Sequence, residues 1–413
     1  MANDSIRDEV RDWLDEHWDP TLGVVEWRNK LADSGWGCVT WPVEWYGRGL
    51  AGSYEAVVRE EFDKAGAVGV AAGVGMSLAA PTILTHGSDD VKSRFLRATL
   101  TGEYKWCQLF SEPGSGSDLA GLTTKAELDG DEWVITGQKV WNSGAHKAAY
   151  GILLARTNWD VPKHKGISYF AIDMRQPGIE VRPLRQANGY STFNEVFLDE
   201  ARVPAANIVG DRDNGWAIAL TTLMHERGAN TARRPKFRNV AAGRCVAEAA
   251  QESGEYFSTY SWYPQRAGRP DLVPVQVRET GQEHDPVVRQ QAMIIATQER
   301  LNRWTVQRST AARKAGRPPG PEGSLAKLNG SLLARLCNRA HSEIVGPAGM
   351  LIGEEGPQNG MVNEVLISTP AMSIAGGTDE IQHNIIGERV LGLPKEPGTD
   401  ADQPFRQVRT NLG

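Results

Sequence analysis

Cysteine is scarce. The 413 residues hold four, Cys38, Cys107, Cys245 and Cys337, widely spaced and without a C-x-x-C pair. That excludes a disulfide framework and a cysteine-based zinc site, and it predicts a reducing, cytosolic setting. Charge of one sign is missing too: 45 Lys and Arg against 51 Asp and Glu leave a net charge of −6, which gives no pull toward nucleic acid or an anionic membrane. Neither a G-x-x-x-x-G-K-[ST] phosphate loop nor a G-x-S-x-G nucleophile elbow occurs. His225-Glu226 opens like a zinc-binding H-E-x-x-H, but Ala229 stands where the second histidine is required, so no metal is expected. Gly114-Ser115-Gly116 follows a proline and meets Leu119 in place of a third glycine, which argues against a Rossmann fingerprint. The opening MANDSIRDEV lacks the basic and apolar regions of a secretory signal. One uncharged run, residues 65–85, could span a bilayer by length; its Ala, Gly and Val content, Pro81 and lack of flanking anchors predict a buried helix instead.

What is present is ordinary for a folded protein: 40% hydrophobic and 23% charged residues, at a length that suits two or three domains. Texture changes twice along the chain. Residues 1–104 read as a helical domain, in which Ile6, Val10, Trp13 and Leu14 share a helix face behind a Ser5 cap, and residues 54–65 and 89–99 repeat the pattern. Residues 105–211 read as a β domain, with β-rich runs at 123–128, 133–135, 150–155, 167–172, 179–182 and 195–198 and a hairpin signal at Asp129-Gly130. No helix-length pattern separates these runs, so they predict an antiparallel sheet or small barrel, not a parallel α/β sheet. Residues 212–413 return to helix at 216–227, 237–252, 287–313 and 324–344, with irregular stretches at 253–285 and 316–323 and a polar tail after Pro394 that is expected to be poorly ordered.

Three segments concentrate glycine and small polar residues. Residues 106–121 (WCQLFSEPGSGSDLAG) set Gly, Ser and Pro straight after a β-like run, where backbone N–H groups can approach a phosphate or ring edge; the same composition suits a surface turn. Residues 137–143 (GQKVWNS) put a tryptophan at a strand end, to cover a planar cofactor or to fill the core. Residues 375–395 (AGGTDEIQHNIIGERVLGLPK) feed a glycine pair into a helix N-terminus, which suits an anion, or an ordinary helix capped by Thr378 or Asp379.

Together these segments resemble the acyl-CoA dehydrogenase family, over nearly the whole chain and in the same helical, β, helical order. The resemblance implies an α+β multidomain fold: an N-terminal helical domain, a central antiparallel β-barrel domain and a C-terminal four-helix bundle. It implies FAD as cofactor, an acyl-CoA substrate oxidised to the 2,3-enoyl-CoA in fatty-acid metabolism, electron-transfer flavoprotein as electron acceptor, and a homo-oligomer, dimer or tetramer. By position, Gln108, Phe110 and Ser111 would line the flavin ring, Gly116 and Ser117 would touch the cofactor and the CoA end of the substrate, and Trp141 and Ser143 would cover the flavin. Thr378 and Glu380 would meet FAD, although Glu380 stands where glutamine is common.

The chemistry needs a desolvated carboxylate against the weakly acidic α C–H, and electrostatic support for the thioester oxygen. Many family members carry that glutamate just before the Gly-Thr of the C-terminal motif, where this chain has Gly376. A minority, like the long-chain and isovaleryl enzymes, carry it on a bundle helix in a Glu-Arg pair. Glu226-Arg227 matches that arrangement, so Glu226 is the expected base, Arg227 the expected substrate neighbour, and Gly376 a backbone donor to the thioester. A surface glutamate paired with a neighbouring arginine is the plainer alternative. The family's Arg-x-x-Phe-Gly run survives only as QRAGRP, which leaves Arg266, Arg269 or Arg278 to replace it, and Glu343 stands where a glutamine is usual. Two other readings stay open: a flavin oxidase or monooxygenase of the same fold, and a non-catalytic partner subunit of a hetero-oligomer. The aromatic density at 256–263, Trp262 included, could shape a pocket or an interface.

Overall fold

A computed structural model of the chain describes residues 2–229, 242–317, 322–395 and 402–408, apart from the side chains of 2, 3, 227–229, 313, 314 and 322. The chain forms two compact units: residues 1–184, 191–259 and 399–413 make the first, and residues 185–190 and 260–398 the second.

The first unit opens with α1 (Ala2–His17), α2 (Val24–Ser34), α3 (Tyr54–Ala65), α4 (Ala80–His86) and α5 (Asp89–Thr101). The apolar stripes of α1 to α3 meet in one cluster that holds Val10, Leu14, Trp27, Leu31 and Phe62. The Ser88 side chain accepts from Val91 N at the start of α5, and Asp89 and Asp90 follow in its first turn, where carboxylates suit the helix dipole. Two expectations fail here. Ser5 lies inside α1, and its hydroxyl reaches Glu9 one turn on (3.4 Å) instead of capping the helix. Residues 65–85 are not one helix: α3 ends at the left-handed Gly66, and the helical path resumes as a π-turn at Gly75–Ala79 leading into α4. Four glycines between 66 and 75 make a continuous helix too expensive in backbone entropy. Among the described residues no helix is long and apolar enough to cross a membrane.

Seven strands follow: β1 (Trp106–Leu109), β2 (Lys125–Asp129), β3 (Glu132–Lys139), β4 (Tyr150–Arg156), β5 (Ile167–Asp173), β6 (Ile179–Leu184) and β7 (Phe193–Pro204). They form one sheet in the order β1-β4-β2-β3-β7-β6, with β5 on β4. Asp129-Gly130 turns β2 into β3, as expected. The long ladders are antiparallel, but β1 lies parallel to β4, and Lys125 pairs with Arg156 in parallel. The crossover from β1 to β4 is a loop and a hairpin, so no helix-length pattern announces the parallel pair. The sheet curls around a core of Leu109, Ile135, Leu153, Phe170, Val196 and Val203, while the alternate side chains Ile152, Leu154, Ile167 and Tyr169 pack outward on Ile83, Phe95 and Ile218. Two further helices, α6 (Gly215–Ala229) and α7 (Arg244–Ser258), belong to this unit. The start of the expected 237–252 helix lies outside the described residues.

Gly137 marks a register shift between β3 and β7. A Cβ there would sit 2.5 Å from Thr124 Oγ1 and 2.8 Å from Thr124 Cα, too close for either to yield cheaply. Gly137→Ala is expected to cost about 1–3 kcal/mol in denaturant unfolding without changing the sheet's circular-dichroism signature.

The second unit is helical: α8 (Tyr263–Arg266), α9 (Val273–Glu279), α10 (Pro286–Lys314), α11 (Glu322–Val345), α12 (Met361–Ser368), α13 (Pro370–Ile374) and α14 (Asp379–Arg389). The long helices α10 and α11 run antiparallel, with Gln291 on Glu343 and Gln298 on Asn329, over a core of Val277, Val288, Ile295, Leu333 and Ile344. The stretch 253–285 is therefore more regular than its Pro and Gly content suggests: α7 runs on to Ser258, and prolines enter α8 and α9 in the first turn, where they are tolerated.

Candidate functional site

In the first unit, hydrogen bonds weld the expected segments into one shelf. Val140 N donates to Ser111 O (2.9 Å), and Asn142 Nδ2 donates to Gln108 O (2.7 Å). Asn142 and Asn194 exchange backbone bonds (3.0 and 3.1 Å), which adds the start of β7. Trp141 stands on this shelf with φ +66° and 56% of its surface exposed, its ring edge-on to Phe193 at 5.6 Å. Positive φ in so bulky a residue is a strained exception that the surrounding bonds must enforce. An indole left half in water fills no core, so the core alternative for Trp141 falls away. Beside it, the Asn142 side-chain oxygen is buried with no partner among the described residues. Gly116 and Ser117 are exposed, Ser111, Ser143 and Gln108 are half-buried, and a Cβ on Gly116 or Gly144 would meet nothing within 4 Å. Phe110 points away from the shelf: it is 4% exposed, its ring edge-on to Tyr169, so what it has left to offer is backbone.

Helix α6 brings Glu226 to this shelf. Its carboxylate is half-buried, and its Oε2 accepts from Gln108 Nε2 at 3.4 Å, at the end of β1. His86 Nε2 lies 2.8 Å from Thr221 Oγ1 on the same helix. Burial holds both His86 and His225 below their usual range, and His86 is lowered further by His225. Neither imidazole therefore puts positive charge near the end of α6 at neutral pH, where it would weaken a base. The side chain of Arg227 lies outside the described residues.

The loop between β1 and β2 rests on a buried pair that sequence reasoning missed. Lys139 is wholly buried; its Nζ donates to Glu112 Oε1 (2.8 Å) and Phe110 O (3.0 Å). The Glu112 carboxylate also accepts from Thr123 N (2.7 Å) and Thr124 N (2.9 Å), which closes the loop at its base. Burial would raise the Glu112 carboxyl, but the Lys139 ammonium and these hydrogen bonds outweigh it and hold it down at about 2. The available signal was the alternation of β3: Lys139 keeps the inward phase of Trp133 and Ile135.

In the second unit, Gly376 and Gly377 have φ of +70° and +85° and lead into α14. Thr378 caps that helix, its side chain accepting from Ile381 N at 3.3 Å. Asp379 is buried between Lys327 Nζ (2.8 Å) and Arg335 Nη1 (2.7 Å), which ties the glycine turn to α11. Burial would raise this carboxyl, but its partners hold it well below the usual carboxylate range. Gly376 and Glu380 are exposed. Of the candidate arginines, Arg269 is forked onto Asp271 (2.8 and 2.7 Å) and Arg266 lies over the Tyr263 ring at 3.8 Å, its Nε buried and without a partner among the described residues. Glu343 is paired with Arg339 at 2.7 Å. Trp262 is buried, so it packs more than it recognises.

These features fit a planar, phosphate-bearing cofactor. An exposed indole face, an unsatisfied buried amide oxygen and open glycine backbone adjoin one another on a surface held rigid from below. Comparison with known proteins gives the same answer. Family models for the acyl-CoA dehydrogenase N-terminal, middle and C-terminal domains match residues 1–103, 107–201 and 275–391. The acyl-CoA dehydrogenase FadE34 of Mycobacterium tuberculosis is 37% identical over 88% of this chain, which spans only 46% of that relative's length. The acyl-CoA dehydrogenase IpdE1 of the same organism is 36% identical over 90% of this chain and 88% of its own. The solved Tcur3481-Tcur3483 steroid ACAD superposes with a TM-score of 0.64 at 25% identity, covering 96% of this chain and 98% of its own. The chain belongs to the acyl-CoA dehydrogenase family, whose members are FAD flavoproteins.

Proposed function

We propose that this chain oxidises an acyl-CoA thioester to its 2,3-enoyl-CoA, with Glu226 as the base that takes the α proton. The observation that carries the proposal is the contact between Glu226 and Gln108, because it sets a half-buried carboxylate at the edge of the Trp141 shelf. Gln108, Ser111, Trp141 and Ser143, with the backbone at Phe110, would hold the flavin ring from the first unit. Thr378 and Glu380 would also meet the cofactor. FAD, when bound, supplies the acceptor for the hydride that leaves Cβ. The protein's own work is to hold the thioester still, to exclude water and to receive one proton at a Glu226 oxygen. The Gly376 N–H, in a turn that no side chain crowds, would stabilise negative charge on the thioester oxygen. Gly116, Ser117 and Arg227 would take the CoA side of the substrate. Electrons would pass on to electron-transfer flavoprotein, from a homo-oligomer in the cytosol. The four cysteines are free and buried, which suits a reducing compartment.

A partner-subunit role is the second reading, favoured by the commitment of Arg269 to Asp271 where the family's Arg-x-x-Phe-Gly run is missing. The test is the product. Straight, branched and steroid-derived acyl-CoAs are incubated with the chain, FAD and an artificial electron acceptor, and loss of two hydrogens is followed by mass spectrometry. Conversion of one class supports dehydrogenation by the lone chain. No conversion of any class until a second chain is added supports the partner reading. Trp141→Ala is expected to weaken FAD binding about tenfold or more, read by flavin fluorescence, with little change in thermal stability.

A further inference from the structure

The polar C-terminal tail is not idle. Residues 402–408 lie on the first unit, and Phe405 is 1% exposed, contrary to the expectation of disorder; its one aromatic ring outweighs the polar residues around it. Phe405 N donates to Val161 O (2.9 Å) and Arg406 N to Trp159 O (3.1 Å). Arg406 also grips Asp160 with two nitrogens, at 2.5 and 2.6 Å.

What Phe405 covers is Arg156. The guanidinium carbon of Arg156 lies 3.5 Å from the Phe405 ring centre, and the residue has no exposed surface. Its nitrogens are given to backbone: Nε to Leu122 O (3.1 Å), Nη2 to Ala120 O (2.6 Å) and Nη1 to Lys163 O (3.1 Å). Ala120 and Leu122 are the trailing end of the loop that carries Gly116 and Ser117. The base is pinned separately, by Lys139 and by Glu112, whose carboxylate also takes Thr123 N and Thr124 N. Asp118, near the tip, accepts from Lys163 Nζ at 3.0 Å, on the same surface that the tail touches through Val161. The base of the loop is thus closed by the Lys139–Glu112 pair, at Glu112 and at Thr123 and Thr124, while the stretch from Ala120 to Leu122 is held by a second buried cation, Arg156, which carries the tail.

We propose that Arg156 is a positioning residue for the 113–121 loop, and that Phe405 keeps it in position, so that the C-terminal segment sets the affinity of the site for the CoA moiety. This rests on the functional reading above, which gives that loop to the CoA end of the substrate. Without Phe405, one face of the guanidinium opens to water, its nitrogens find hydration instead of the Ala120 and Leu122 carbonyls, and the rear of the loop loosens. The base, clasped by Glu112 at both Ser115 and Thr123, keeps its shape.

The experiment compares the full-length wild-type chain with Phe405→Ala and Phe405→Tyr. Amide hydrogen exchange and the Kd for coenzyme A by calorimetry are measured on each. In Phe405→Ala, the amides of Gly121 and Leu122 are expected to exchange at least tenfold faster, while those of Ser115 and Thr123 stay at wild-type rates. The Kd for coenzyme A is expected to rise fivefold or more. Phe405→Tyr, which keeps an aromatic face, restores both. Faster exchange confined to residues 157–166 overturns the proposal, because Phe405 would then be only a plug. So does an unchanged Kd, or a failure of tyrosine to rescue. A wild-type chain that binds no coenzyme A contradicts the functional reading and removes the affinity claim with it; the exchange pattern at Gly121 and Leu122 then still judges the role of Arg156.

Discussion

Glu226→Gln should abolish most of the reductive chemistry while leaving the protein yellow. The substitution keeps size and hydrogen-bonding reach, so the contact with Gln108 survives, but the amide cannot accept the α proton. General-base catalysis by a positioned side chain is commonly worth about 10²–10⁴ in rate, and the thioester α C–H is a weak enough acid to need the upper part of that range. Anaerobic stopped-flow mixing with the preferred acyl-CoA should therefore show flavin bleaching slowed by about 10³-fold or more, with substrate affinity changed little. A slowing under about tenfold would remove Glu226 from the role of base. Gly376, which has no side chain, cannot take that role over.

The second large effect is on stability. Lys139 and Glu112 are 0% and 5% exposed and meet at 2.8 Å. Removing one member leaves the other charged group buried without its counter-ion, which typically costs about 3–5 kcal/mol. Lys139→Met and Glu112→Gln are each expected to lose that much in denaturant unfolding. The double variant should lose clearly less than their sum, because it leaves no uncompensated charge. Additive losses in the cycle would mean that the two groups are not coupled. The same pair sets an acid limit. The Glu112 carboxyl is held at about 2 in the folded chain, against an ordinary 4.5 when unfolded. A depressed carboxyl stabilises the fold fully above its unfolded value and loses that contribution as pH falls toward the folded one. Stability measured between pH 5 and 2 should therefore drop more steeply in the wild-type chain than in the Glu112→Gln/Lys139→Met variant.

The sheet and most helices were legible because alternation and helical spacing are local signals. Residues 54–65 and the six β-rich runs fall where the elements form. The parallel pairing of β1 with β4 was not legible, since it depends on a loop path and not on any run of residues. At the site, composition could not say whether Trp141 fills the core; its exposure excludes that. Lys139 and Arg156 were passed over because basic residues are ordinarily placed on the surface. Their burial depends on backbone carbonyls and on Glu112, brought near them by the turn of the loop. Phe405 was hidden for a related reason: a short polar segment can dock through one ring.

Dehydrogenation by the lone chain is tested most directly by an anaerobic titration of the purified, FAD-loaded single chain with straight, branched and steroid-derived acyl-CoAs. One class is expected to bleach the flavin band in proportion to substrate added, with the matching enoyl-CoA appearing. A chain that retains no FAD alone, or stays yellow with every class, would contradict it.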